Sequence, residues 1–174
     1  MSSKRQKTAG FTLIELLIYL SLVSGILIAA TSFAWTIINS RTKAFAVQEV
    51  EQNGRFITER LTQAIRQAQD VTTPHTGEVS NSLSLIMRDS PLNPTEFTSQ
   101  NNQVLFSQGG SPPVALNSSQ VMVKNLDFYN LSTANGRSHH VRIVLELEHR
   151  NPDQRQEWQA SDTFATTVEL RDTY

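Results

Sequence analysis

The chain predicts an α+β protein: one long amino-terminal helix followed by an antiparallel β domain. Three observations lead there. Residues 11–38 form an apolar run of 28 residues, 20 of them hydrophobic, in which Glu15 is the one charged side chain. Residues 39–70 continue with apolar positions three or four apart, the period of one helix face. From residue 71 the texture changes to short alternating apolar stretches, separated by proline, serine, threonine and asparagine.

The apolar run is long enough to cross the hydrocarbon of a bilayer, which takes about 20 helical residues. A basic leader with Lys4, Arg5 and Lys7 precedes it and ends at Gly10. Positive charge at that end places the leader in the cytoplasm and the residues beyond the span outside it. A carboxylate within such a span costs a few kcal/mol or more, so Glu15 reads as a functional residue. No proline occurs before Pro74, and the run joins Val47, Val50, Gly54, Ile57, Leu61, Ile65 and Ala68 without a break in period. Glu49, Gln52, Arg55, Glu59, Gln63 and Arg66 fall on the opposite face. One helix over residues 12–69, roughly 85 Å long, is expected. Its first half is apolar all round. Its second half is amphipathic and needs a globular domain to cover the stripe.

In the β region, residues 83–87, 104–106, 121–128, 141–148 and 164–170 read as strands. The phase of the third changes near Asn125, which predicts a bulge. Val141, Ile143, Leu145 and Leu147 alternate with Arg142, Glu146 and Glu148, as in a half-buried strand; Val144 breaks the alternation. Phe164, Thr166, Val168 and Leu170 share one face of the last strand. Asn135-Gly136 predicts a tight hairpin and Asn151-Pro152-Asp153 a second turn. Residues 72–81 and 90–102 read as surface loops.

Composition removes several function classes. Without the leader, 16 acidic side chains outweigh 12 basic ones, so there is no electrostatic footprint for nucleic acid. There is no cysteine, hence no disulfide, thiolate metal site or cysteine nucleophile. His75, His139, His140 and His149 read as solvated side chains. Arg137, His139, His140 and Arg142 form a small basic cluster that reads as a solvated strand edge. Gly109-Gly110-Ser111-Pro112-Pro113 is not a nucleophile elbow, since prolines forbid the helix that must follow. Asp127, Asp153 and Asp162 lack the spacing of a calcium loop. The expectation is a chain with no catalytic residues, no metal and no cofactor.

Gly10-Phe11-Thr12-Leu13-Ile14-Glu15-Leu16-Leu17, entered from a basic leader, resembles the precursor motif of the type IV pilin and type II secretion pseudopilin superfamily at every position. The strict match covers residues 4–38. The resemblance implies cleavage between Gly10 and Phe11 by a prepilin peptidase, N-methylation of Phe11, and a role for Glu15 in assembly register. It divides the chain into a cytoplasmic leader (1–10, removed), a transmembrane and assembly helix (11–38), its amphipathic continuation (39–70) and an extracytoplasmic β-rich domain (71–174). It implies the pilin fold, in which the helix's second half packs on an antiparallel sheet. The expected partners are the peptidase, other pilin or pseudopilin subunits, the inner-membrane assembly machinery and, before assembly, membrane lipid. The expected location is the inner membrane, in a single pass, and then a periplasmic or cell-surface filament.

Looser similarities point to J-type minor pseudopilins and W-type minor pilins. They lie at Asn53-Gly54-Arg55-Phe56, at Leu116-Asn117-Ser118-Ser119 and at Thr166-Thr167-Val168-Glu169-Leu170-Arg171. Many major pilins carry a proline midway in the hydrophobic helix; here that stretch offers only Gly25, Thr31 and Ser32. Some pilins close the C-terminal region with a disulfide, which this chain cannot do. Three other readings compete. Ala29-Ala30-Thr31 offers small residues for secretory signal cleavage, but the apolar run continues through Phe33, Trp35, Ile37 and Ile38. A plain signal anchor fits the hydropathy. A membrane-anchored binding module or enzyme that does not polymerise would have no need of the Gly10, Phe11 and Glu15 spacing.

Overall fold

With no proline or glycine pair to interrupt it, the chain forms a single α-helix, α1, over Leu13–Gln67, 55 residues long. In this computed structural model, residues 10–133 and 139–171 are described. The helix ends two residues earlier than its period predicts, because Ala68 begins strand β1 (Ala68–Thr73). The chain divides into two compact units that part between Arg41 and Thr42. In the first, every described residue is exposed.

In the second unit, α1 buries Ala46, Val50, Gly54, Ile57, Leu61, Ala64 and Ile65. The expected stripe is realised except at one end. Val47 is exposed, and Ala46, four residues before Val50, takes its place. Both spacings suit a helix face, and the smaller side chain allows the closer approach.

The remaining strands are β2 (Val79–Ser80), β3 (Ser82–Met87), β4 (Thr95–Gln100), β5 (Gln103–Gln108), β6 (Val114–Ala115), β7 (Val121–Asn130), β8 (His140–His149) and β9 (Ser161–Glu169). Every pairing is antiparallel. They make two sheets rather than one, in the orders β1-β3-β4-β5-β6 and β2-β7-β8-β9. The predicted strands are all present. The bulge is also found: pairing of β7 with β8 slips between Val123 and Asn125. Lys124 is the extra residue, and its ammonium lies 2.7 Å from the Glu148 carboxylate. That carboxylate, by hydrogen bond and charge, holds the Lys124 pKa above the ordinary lysine value. The Asn135-Gly136 turn lies outside the described residues, as do Lys4, Arg5, Lys7 and Arg137.

The two predicted loops are corrected. Residues 72–81 include the end of β1 and all of β2, and residues 90–102 include a 3₁₀ turn (Ser90–Leu92) and β4. β4 has one large apolar residue, Phe97, so its alternation is weak in the sequence. Thr95 takes an interior place because its hydroxyl is satisfied. It donates to the Leu92 carbonyl at 2.8 Å and accepts from Gln108 Nε2 at 3.0 Å. Asn101 and Asn102, at φ of 52° and 61°, form the two-residue connection to β5. Asparagine tolerates that left-handed geometry better than most side chains.

The core gathers α1's buried stripe with Leu83, Leu85, Phe97 and Val104 from one sheet, and Phe128, Ile143, Leu145 and Leu147 from the other. Each such side chain contributes about 1.5–3 kcal/mol by leaving water. Asn117 ties the sheets together. Its Oδ1 accepts from the Val104 N–H of β5 at 2.9 Å, and its Nδ2 donates to the Val121 carbonyl of β7 at 2.7 Å.

Candidate functional site

The amino-terminal segment is built from its backbone upward. Gly10, Phe11 and Thr12 precede the helix in exposed, non-helical chain, and a methyl group added at Gly10 would touch nothing within 4 Å. Thr12 caps α1. Its Oγ1 accepts from the Glu15 N–H at 3.3 Å and its carbonyl from the Leu16 N–H at 3.2 Å. Threonine followed three residues later by glutamate is the pattern of a capping box, a signal the motif resemblance had hidden. Glu15 therefore stands in the first turn of the helix, where the macrodipole favours a negative charge.

Four hydroxyls of the apolar stretch are satisfied within the helix; Tyr19 and Ser32 have no such bond among the described residues. Ser21, Ser24, Thr31 and Thr36 donate to carbonyls three or four residues earlier, at 2.7–3.1 Å. Such back-bonds satisfy polar side chains where no water reaches. The Glu15 carboxylate has no such solution: among the described residues no ion pair or hydrogen bond reaches it. By length and composition α1 can cross a membrane through its amino-terminal half, and that half is wholly unburied.

Two of the three stretches of looser resemblance, at residues 53–56 and 116–119, meet in space. Asn53 Oδ1 accepts from the Ser118 N–H at 2.8 Å. Gly54 faces the Phe164 ring of β9 so closely that an added Cβ would lie 2.0 Å from Cε2. Asn117 is the residue that joins the sheets.

The histidines divide. His75 is exposed, and His139 and His140 are half-buried. His149 corrects the solvated reading. It is 2% exposed and stacks on Trp158 with ring centroids 5.0 Å apart. Neither ring nitrogen has a hydrogen-bond partner. As the last residue of β8 its parity matches Leu145 and Leu147, so the alternation of the strand could have placed it inside. Among the described residues no group of three or more histidines or carboxylates could hold a metal ion.

No protein-family model matches this chain, and no significant match to it was found among curated proteins or solved structures. The class that the chain itself defines is an α+β protein with a membrane-capable amino-terminal helix and two antiparallel sheets.

Proposed function

We propose that this chain is a minor, low-copy pilin or pseudopilin, a structural subunit that helps to initiate or cap a type IV pilus or type II secretion pseudopilus. The observation that carries the reading is the Glu15 carboxylate, without a partner among the described residues, five residues beyond Gly10, in a helix most of whose serine and threonine hydroxyls are satisfied within the helix itself. Cleavage after Gly10 frees an amine on Phe11, which the peptidase methylates. A neighbouring subunit's N-terminal ammonium then becomes the partner for Glu15. The pair forms only when the newcomer reaches the right depth, so it sets axial register, whereas apolar contacts alone would allow sliding by a turn. Its value lies in specificity more than in net stability. The exposed, non-helical backbone at Gly10 and Phe11 suits a protease at the membrane surface. The hydrogen bond from the Ser118 N–H to Asn53 Oδ1, which joins two of the stretches that resemble minor subunits, supports the minor-subunit assignment.

The test is N-terminal sequencing of the chain from purified filaments and from membranes, with its copy number measured in the filaments. The expected mature start is Phe11, at a small fraction of the main subunit. A start after Ala30, or an uncut Met1, overturns the reading. Finding this chain as the dominant subunit overturns the minor assignment alone.

A further inference from the structure

Among the described residues the two sheets have four edge strands, and three of those are blunted. β2 and β6 are two residues long, and β1 breaks register twice against β3. β9 is different: nine residues in unbroken register with β8, with no proline and no bulge. Proteins normally protect an edge of that kind, because its free N–H and C=O groups are a template for another strand.

The free groups can be assigned. In an antiparallel ladder alternate residues point their backbone groups to opposite sides. The Leu170 N–H donates to the His139 carbonyl, and the His149 N–H to the Ala160 carbonyl. Even-numbered residues of β9 therefore face β8, and odd-numbered ones face outward. The Thr163 N–H is occupied by Asp162 Oδ1 at 2.8 Å, and the Arg171 carbonyl by the Arg88 guanidinium at 2.9 Å. Between these two ends the N–H and C=O groups of Ala165, Thr167 and Glu169 have no partner among the described residues, and all three residues are exposed. Beside them runs an open groove of about 1110 Å³, walled across from β9 by Thr58, Thr62, Gln63 and Arg66 of α1. The Thr58 hydroxyl is buried with no hydrogen-bond partner.

We propose that the outer edge of β9, from Ala165 to Glu169, is a docking site for an extended strand of a different protein subunit, added as a further strand beyond β9. The proposal rests on the filament-subunit reading and names the surface by which a neighbour is held. Backbone pairing gives the contact its affinity, and the polar wall of α1 selects polar side chains on the side facing it. A second copy of this chain does not fit. Antiparallel pairing of two β9 edges needs a two-fold axis perpendicular to the sheet, which reverses α1 in the partner. The two Thr42 positions would then lie at opposite ends of helix segments about 39 Å long, although both lead into a span of the same membrane. A copy docked with α1 parallel must offer another edge, and those are short or irregular.

Residue-resolved hydrogen exchange on the full chain, alone in detergent and within purified filaments or their tip complexes, tests this. The amides of Ala165, Thr167 and Glu169 should slow by roughly tenfold or more on assembly. Those of Thr166, Val168 and Leu170, already facing β8, should change little. Thr167→Pro removes an outward N–H while leaving the β8 ladder whole, so it should keep the melting temperature within a few degrees yet lose filament association. Unchanged exchange at the three amides in assembled protein overturns the proposal and leaves the subunit reading standing. Protection that instead appears when the isolated chain is concentrated assigns the edge to a second copy and also overturns it. Absence of the chain from every purified assembly overturns both.

Discussion

At the scale of single residues, Glu15 has two separable roles. Its backbone N–H completes the Thr12 cap, which any residue can do, while in the proposed function its carboxylate pairs with a neighbouring subunit. Glu15→Gln keeps the side chain's shape and its capping capacity but removes the charge; Glu15→Val removes both. Both variants should insert in the membrane and be cleaved at Gly10, and both should be poorly incorporated when filament-associated and membrane-retained protein are compared without the wild-type copy. Glu15→Asp should retain the charge and fall short in reach. Incorporation of Glu15→Gln at the wild-type level would show that the cap, and not the charge, is what this position supplies. Gly54 is a second such residue. Alanine there gains about 1 kcal/mol of helix propensity, but its Cβ meets the Phe164 ring. Gly54→Ala should therefore destabilise residues 42–174 by about 1–3 kcal/mol in urea unfolding. In a Phe164→Ala background the same change should be neutral or stabilising. His149 runs the other way. Its ring packs on Trp158 with both nitrogens unpaired, so His149→Phe keeps the packing and should stabilise by about 1 kcal/mol. A loss of that size in thermal melts would mean the nitrogens are engaged.

At the scale of elements, Asn117 bridges the two sheets beside a backbone bond from the Val123 N–H to the Asn102 carbonyl. Asn117 Oδ1 and Nδ2 serve a backbone N–H of β5 and a carbonyl of β7, both in the interior. Asn117→Ala leaves both groups buried and unpaired, at about 1–3 kcal/mol for each. The expected result is a clear fall in the urea midpoint, with increased hydrogen exchange at Val104 above all. Asn117→Asp should restore the acceptor but not the donor, and recover Val104 protection only. The Lys124–Glu148 pair in the bulge behaves differently, being open to solvent on the lysine side. Lys124 has a raised folded-state pKa, so its contribution is whole below the ordinary lysine value and is lost as pH rises through the folded one. Between pH 5 and 9 this pair should leave the stability curve flat.

At the scale of the molecule, the division between Arg41 and Thr42 predicts that the second unit folds alone. A fragment of residues 42–174 should be monomeric in size-exclusion chromatography, unfold in one transition, and give circular dichroism of mixed helix and antiparallel sheet. A purely helical or disordered spectrum would contradict the α+β architecture. The core supports the expectation, since it draws on α1 only from Ala46 onward and on both sheets.

Periodicity was enough to read α1, its buried stripe from Val50 onward, a bulge near Asn125 and the inward faces of β8 and β9. These are local facts: a helix or strand with one dry face repeats its apolar residues at a fixed interval. Glu15 drew attention because a lone charge in an apolar run stands out in any context, whereas Gly10 and Phe11 were singled out by the motif resemblance. β4 was not legible, because Thr95 becomes an interior residue only when Leu92 and Gln108 arrive to satisfy its hydroxyl. Nor was the division into two sheets, which depends on pairings between distant segments and on the Asn117 bridge. His149 was misread although its strand parity pointed inward; its burial is completed by Trp158, from a turn beyond the end of β8. The open edge of β9 depends in the same way on the lengths and registers of the other strands. Strand order comes from long-range packing, and no single segment encodes it.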